Sequence, residues 1–314
     1  MQSRVAVGAL SSAVATRDRR RSLLTFCFVV GLGGPALCWV LALLGYQTPE
    51  LRLDRFATAA VTLSVYAPLL AFYDNPGERR TLDQQLLHLA WLWFFSNTGY
   101  QVFWEMPWFL LKDTLRTGMI TMSDTAYWPW WAYGVADTRY LSKNDLVLAI
   151  SALDGSVALL EVAAIYLYVK GYRLLVAWLA LILGSCMGWG QYYFYVGEIY
   201  KHFSGIEDGW YGFYIKYWLM GFPWLVFPIV ANLGLIWYIA AIYKKRGVEE
   251  YLAGREPEFG ASFAHETDML MTTDERGARI EEWASPALVR WVLVLMFVWP
   301  FVFLGVDIAR FYMK

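Results

Sequence analysis

A succession of apolar stretches, each long enough to cross a bilayer as a helix, constrains this chain more than any other feature. The stretches fall at 23–45, 56–73, 84–111, 146–169, 173–197, 213–243 and 287–309. A helix needs about 20 apolar residues to span the hydrocarbon core. Inside that core every backbone N–H and C=O must find its partner within the segment, which favours helices. The pattern therefore predicts an all-α integral membrane protein with about seven transmembrane helices. Only 17% of residues are charged, below the roughly 25% of soluble domains, and the net charge of -1 gives no case for a nucleic-acid partner. Cys27, Cys38 and Cys186 are scattered through apolar spans, which suits small core residues and neither a disulfide framework nor a metal site.

The basic cluster Arg17–Arg21 precedes the first span. That span is too long for the apolar region of a signal peptide. Basic residues are more frequent on the segments that share the N-terminal side, so the N-terminus is expected inside and the C-terminus outside. The outer segments carry fewer, Lys201 and Lys216 among them. The outer stretch 112–145 is rich in Trp and Tyr, which sit well at a membrane interface. The stretch 247–285 is acidic and polar, the pattern of a solvated linker. A docking role for a homodimer or a membrane-complex partner is its alternative reading.

Glu105 stands out against this background, because it lies in the aromatic run FFSNTGYQVFWEMPWFLL. An ionisable residue at membrane depth is expensive and marks a functional site by default. Low polarity around a carboxyl favours its neutral form, and a protonated acid near neutral pH can give a proton to an apolar substrate. Gln101, Glu105 and Trp108 are spaced to share one helix face, with Gln101 placed to hydrogen-bond Glu105. Pro107 leaves the Phe103 carbonyl without its usual donor, so a kink is expected there.

Asp154 and Glu161 share a face of the next span. Gln191 and Tyr193 lie near the outer end of span five, followed by Glu198, which reads as a surface carboxylate at the interface. Trp224 lies in GFPWLVFP, and its π face is suited to stabilising a cation in a dry pocket. Counted along their spans, Glu105, Asp154 and Gln191 fall within ~9–12 Å of the outer edge and Trp224 at ~17 Å. One pocket could therefore gather all four.

These residues resemble the emopamil-binding protein family, the sterol delta-8,delta-7 isomerases and relatives that share the EXPERA domain. The resemblance covers about 56–243 and is carried by the Glu105 span, by Trp131, Asp137, Arg139 and Tyr140 in WWAYGVADTRYL, by YYFYVGE, and by Trp224, Leu225, Val226 and Pro228. It implies a five-helix EXPERA-like bundle with one added helix at each end. The added regions are 1–55, a basic segment plus helix, and 286–314, a helix behind the acidic loop 244–285. It also implies an intramembrane isomerase that needs no cofactor or metal. Glu105 would protonate a double bond, Trp224 would stabilise the carbocation, and a second carboxylate would remove a neighbouring proton. Asp137, Arg139 and Tyr140 would order the pocket mouth. Independently of the resemblance, their positions in the spans make Gln101, Trp108, Gln191 and Tyr193 further candidate substrate-binding residues.

Two positions depart from the family pattern. Gln101 stands where a histidine is expected, and an amide cannot relay a proton as imidazole does. The second acid is expected at Ala152, whereas Asp154 is about 200° further round a straight helix, with Glu161 as the other candidate. The implied ligand is a sterol or other polycyclic lipid within the surrounding membrane lipid. The host would be the endoplasmic reticulum if eukaryotic or the cytoplasmic membrane if bacterial. The alternatives are a non-catalytic sterol-binding or trafficking protein and a structural subunit of a membrane complex.

Overall fold

The computed structural model describes residues 2–46, 52–74, 80–170 and 172–252. The expected span at 287–309 and the acidic stretch from 253 onward lie outside the described residues. Among the described residues every regular element is helical, and one isolated bridge between Asp137 and Ile206 is the sole β pairing. The helices are α1 (Gln2–Leu43), α2 (Arg52–Tyr66), α3 (Leu82–Tyr100), α4 (Met106–Leu115), α5 (Trp128–Gly134), α6 (Asp145–Val169), α7 (Arg173–Ile199) and α8 (Met220–Leu252). A 3-10 turn extends α2 through Ala67–Phe72, and π-helical segments at Gln101–Glu105 and Trp210–Leu219 lead into α4 and α8.

Five helices are long and apolar enough to cross a membrane: Ser22–Leu43, Leu53–Phe72, Asp145–Val169, Arg173–Ile199 and Trp210–Ala240. They coincide with five of the expected spans. The span expected at 84–111 is helical from Leu82 to Leu115 but is not among the five. The reason is its place in the fold. Every residue of α3 from Leu86 to Tyr100 is buried, with α1, α6 and α8 packed around it. A helix shielded by protein does not need apolar residues on all sides, so α3 carries Asn97 and Thr98 at its buried end, with Gln101 directly after it. The outer helices show the complement. Leu159, Val162 and Tyr166 on α6, and Ile229, Leu233 and Ile236 on α8, stay exposed at helical spacing. Stripes of that size face lipid or a partner far more readily than water.

Close helix crossings set the frame. A Cβ at Gly31 would collide with the Ser96 backbone, and one at Gly99 with the backbone of Gly31 and Leu32. α1 and α3 therefore touch main chain to main chain, as small residues allow in bilayers. α3 starts in a capping box: Thr81 N donates to Gln84 Oε1 at 2.7 Å, which satisfies donors the helix cannot.

Residues 116–144 and 200–209 close one end of the bundle. Thr138 N donates to Gly205 O at 2.9 Å and Glu207 N to Ala136 O at 2.8 Å. Beneath them Arg139 pairs with Asp137 at 2.7 Å, donates to Phe194 O at 2.9 Å, and stacks over the Phe194 ring at 3.9 Å. Glu198 Oε1 lies 3.5 Å from the same guanidinium, and Glu198 Oε2 accepts from Gly205 N at 3.1 Å. Glu198 is 1% exposed, which corrects its reading as a surface carboxylate: the returning loop covers it and Arg139 neutralises it. Burial raises the Asp137 carboxyl above its ordinary range even though Arg139 pulls the other way. The ion pair is thus a demanding buried joint between two loops and the end of α7.

Candidate functional site

A cavity opens beneath this loop cap, bounded by α1, α2, the α3–α4 junction, α5 and parts of α6 to α8. Its space free of protein atoms is about 960 Å³ with the open mouth and the solvent in it included. Glu105, Asp154, Gln191 and Trp224 all face it, as do Gln101, Trp104 and Tyr140.

The π-helical turn Gln101–Glu105 presents the first acid. Met106 N donates to Gln101 O, the i→i+5 bond that marks a π turn. Such turns widen the helix locally and recur at functional sites. Pro107 follows immediately and cannot supply an N–H to the turn before it. The Trp104 carbonyl, in the same turn, accepts from the indole N–H of Trp130 in the loop cap at 3.3 Å. α6 lies tight against this turn, because Gly155 has no Cβ: one placed there would sit 3.2 Å from Met106 Cα and 3.5 Å from Glu105 O. Asp154, next to that glycine, is thereby brought within electrostatic reach of Glu105 and also of Glu161.

Both acids keep an unsatisfied oxygen. Glu105 Oε2 and Asp154 Oδ1 are buried without a hydrogen-bond partner, and so is Gln101 Oε1. The Ser151 and Tyr140 hydroxyls lie beside the Glu105 carboxyl, but neither Glu105 Oε2 nor Ser151 Oγ makes a well-formed bond. Burial, with Glu105 next to it, pushes the Tyr140 hydroxyl well above its ordinary range, so it stays a neutral phenol. Buried polar atoms in folded proteins nearly always have partners, and clusters of exceptions in a cavity wall are the usual mark of a site that acts on something.

Trp224 forms another side of the chamber. Its indole N–H donates to Asn97 Oδ1 at 3.0 Å, and Asn97 Nδ2 donates to Glu161 Oε1 at 3.1 Å. Tyr100 and Trp93 meet the ring edge to face at 5.0 and 6.0 Å between centroids. The ring is fixed on three sides. Glu161 is fully buried behind Asn97 and is not in the cavity wall.

Several expected site residues lie elsewhere. Gln101 does not hydrogen-bond Glu105; its amide N–H points to Met187 Sδ at 3.9 Å. Trp108 is off the cavity, because the wider π turn rotates the residues after it out of the expected register. Its indole N–H holds Tyr140 O at 3.2 Å within the buried cluster under the cap. Tyr193 is 55% exposed on the outer face of α7, since two residues along an α-helix turn about 200° from Gln191. Asp137 and Arg139 are sealed in their ion pair and do not reach the cavity; of the loop motif Tyr140 alone lines it. α6 is regular throughout, so no bulge shifts Asp154. Ala152 packs instead in the cluster with Trp108.

Sequence reading missed a second polar group in the wall, the Asp54–Lys216 pair. Lys216 was counted with the outer loop, yet it is 4% exposed and its Nζ lies 2.6 Å from Asp54 Oδ1. A lone lysine three residues inside the apolar span expected at 213–243 was the available signal. Among the described residues no group of His, Cys, Asp and Glu could hold a metal ion. No family model, curated protein or solved structure matches the chain.

Proposed function

We propose that this protein is an intramembrane isomerase that moves a double bond in a sterol or other polycyclic lipid. The observation that carries the reading is the meeting of Glu105, Asp154 and Trp224 in one apolar chamber, with an unpartnered oxygen on each acid. Two buried carboxyls within electrostatic reach of one another cannot both ionise cheaply, so they hold one proton between them. Glu105 gives its proton to one alkene carbon, and the π electrons form the new C–H bond. The positive charge left on the adjoining carbon faces the indole of Trp224. Asp154, as carboxylate, takes a proton from a neighbouring carbon, and that C–H pair becomes the shifted double bond. Return of the proton from Asp154 to Glu105 resets the pair. The balance needs no oxidant, reductant or cofactor.

The resemblance to the emopamil-binding protein family supports the same chemistry, with α2, α3–α4, α6, α7 and α8 as the five-helix EXPERA-like core and α1 added before it. Asp154 takes the acceptor role that the family pattern puts two residues earlier. A second reading, a lipid binder without turnover, is favoured by Gln101, whose amide cannot replace a relaying histidine.

The deciding experiment is Glu105→Gln in the reconstituted protein, with double-bond position in a delta-8 sterol followed by mass spectrometry. Turnover should disappear while sterol binding remains. Turnover at the wild-type rate excludes Glu105 as the acid; binding without turnover in the wild type leaves the binder reading.

A further inference from the structure

Three polar side chains from three helices form one hydrogen-bonded chain behind the chamber. Trp224, near the start of α8, donates its indole N–H to Asn97 Oδ1 of α3 at 3.0 Å. Asn97 Nδ2 donates in turn to Glu161 Oε1 of α6 at 3.1 Å. Asn97 is 1% exposed and Glu161 0%. Of the three, Trp224 alone lines the cavity.

The direction of the chain follows from which groups can donate. An indole has a donor and no acceptor, so it must take the oxygen end of the amide. The NH2 end of Asn97 then needs an acceptor, and Glu161 supplies it. Met187 Sδ, 3.4 Å from the same nitrogen, is a weak acceptor. Glu161 has no other hydrogen-bond donor among the described residues. The neighbouring Thr98 hydroxyl goes to Phe94 O at 2.8 Å, and Glu161 Oε2 is buried without a partner. An acid at membrane depth is expensive. Apolar groups of the same shape at 97 and 161 would serve stability nearly as well, so the chain is kept for what it does to the indole.

What it controls is the tilt of the ring. An aromatic ring is negative over its face and positive at its edge, and a cation is attracted by the face. Tyr100 and Trp93 meet the Trp224 ring edge to face at 5.0 and 6.0 Å between centroids, and the bond to Asn97 fixes the remaining rotation. With no acceptor at 161 the amide can turn, and the indole loses the bond that sets its tilt.

We infer that Glu161 is a positioning residue: through Asn97 it sets the tilt of Trp224, and with it the strength with which the chamber holds a cation. This rests on the cavity being the isomerase site, with Trp224 facing the carbocation, and adds a group that never touches the substrate. Glu161 leaves the proton-accepting role to Asp154.

The test uses the full-length protein in nanodiscs. It measures kcat and KM with a delta-8 sterol, and the affinity of an azasterol, protonated on its ring nitrogen, relative to the sterol of the same skeleton. Glu161→Leu should lower kcat and the azasterol preference by about fivefold each, the scale of one hydrogen bond, and leave KM unchanged. Glu161→Gln keeps a carbonyl that accepts from Asn97 and should restore both. In a Trp224→Phe background, which has no N–H to hold, Glu161→Leu should lower neither any further. Glu161 also lies within electrostatic reach of Asp154, so a loss that persists in that background traces to the acid and overturns the inference. An unchanged azasterol preference in Glu161→Leu, or a folded Glu161→Gln that restores nothing, also overturns it. Asn97→Leu breaks the same link from the other side and supplies the comparison if Glu161→Leu does not fold. An azasterol preference that depends on Glu161, in a wild type that moves no double bond, overturns the isomerase reading and keeps the link. Bond migration with an azasterol preference indifferent to Glu161 does the reverse.

Discussion

Trp224 donates its indole N–H to Asn97 Oδ1 at 3.0 Å, so one edge of the ring is spent on structure while the ring remains in the cavity wall. That division makes the two roles separable. Trp224→Phe removes the hydrogen bond and part of the π face but keeps an aromatic ring. On the proposed mechanism a cation exists along the reaction path and not in the bound substrate, so turnover should fall by about tenfold or more with little change in sterol affinity. Parallel losses in rate and affinity, measured by steady-state kinetics and equilibrium binding, would mean that the ring only packs.

Arg139 is the sole cation within ion-pair distance of both Asp137 and Glu198 among the described residues. Arg139→Leu leaves two buried carboxyls without a counter-charge. Loss of one member of a buried pair costs about 3–5 kcal/mol, and in a chain of this size that lowers the melting temperature by roughly 10 °C. Arg139→Lys should recover only part of it, because lysine cannot hold Asp137 with two parallel bonds. Thermal denaturation in detergent reads both.

Gly155 sets how closely α6 approaches the π turn. A Cβ there meets Met106 Cα at 3.2 Å, so Gly155→Val must push the two helices apart. Overpacking of this kind costs about 1–3 kcal/mol. It should also separate Asp154 from Glu105 and lower turnover well beyond the loss of stability. A variant with a lowered melting temperature and normal activity would show that the spacing of the two acids does not matter.

Amphiphiles with a protonated amine inside a polycyclic or branched apolar frame mimic the carbocation. On the proposed mechanism the charge appears only in transit, so they should bind more tightly than the neutral sterol and inhibit turnover. Asp154→Asn should weaken that binding by about tenfold or more, as loss of a charge-assisted partner does. Indifference of the wild type to such compounds would speak against a cationic intermediate.

Much of this arrangement could be read along the chain. Glu105, Asp154, Gln191 and Trp224 were each conspicuous as polar or aromatic residues at similar depth in separate apolar spans, and they do line one cavity. Residues whose direction depends on local helical geometry could not be placed that way. Trp108 and Tyr193 seemed to belong to the same wall. A π turn and a 200° rotation put one under the cap and the other on the outer surface. Glu198 and Lys216 looked solvent-exposed because they sit near span ends; returning loops bury both.

The sequence by itself determined that the chain is helical and apolar in membrane-length spans, since hydrocarbon leaves the backbone no other economical way to satisfy its polar groups. It also singled out the acid at position 105, because a carboxyl in such a run is too costly to be incidental. Only the tertiary structure decided which groups the acid meets. Partnership between Glu105 and Asp154 depends on a π turn and on a glycine that lets two helices touch. The joining of Asp54 to Lys216 links residues far apart in the chain, and no periodicity within either segment carries that information.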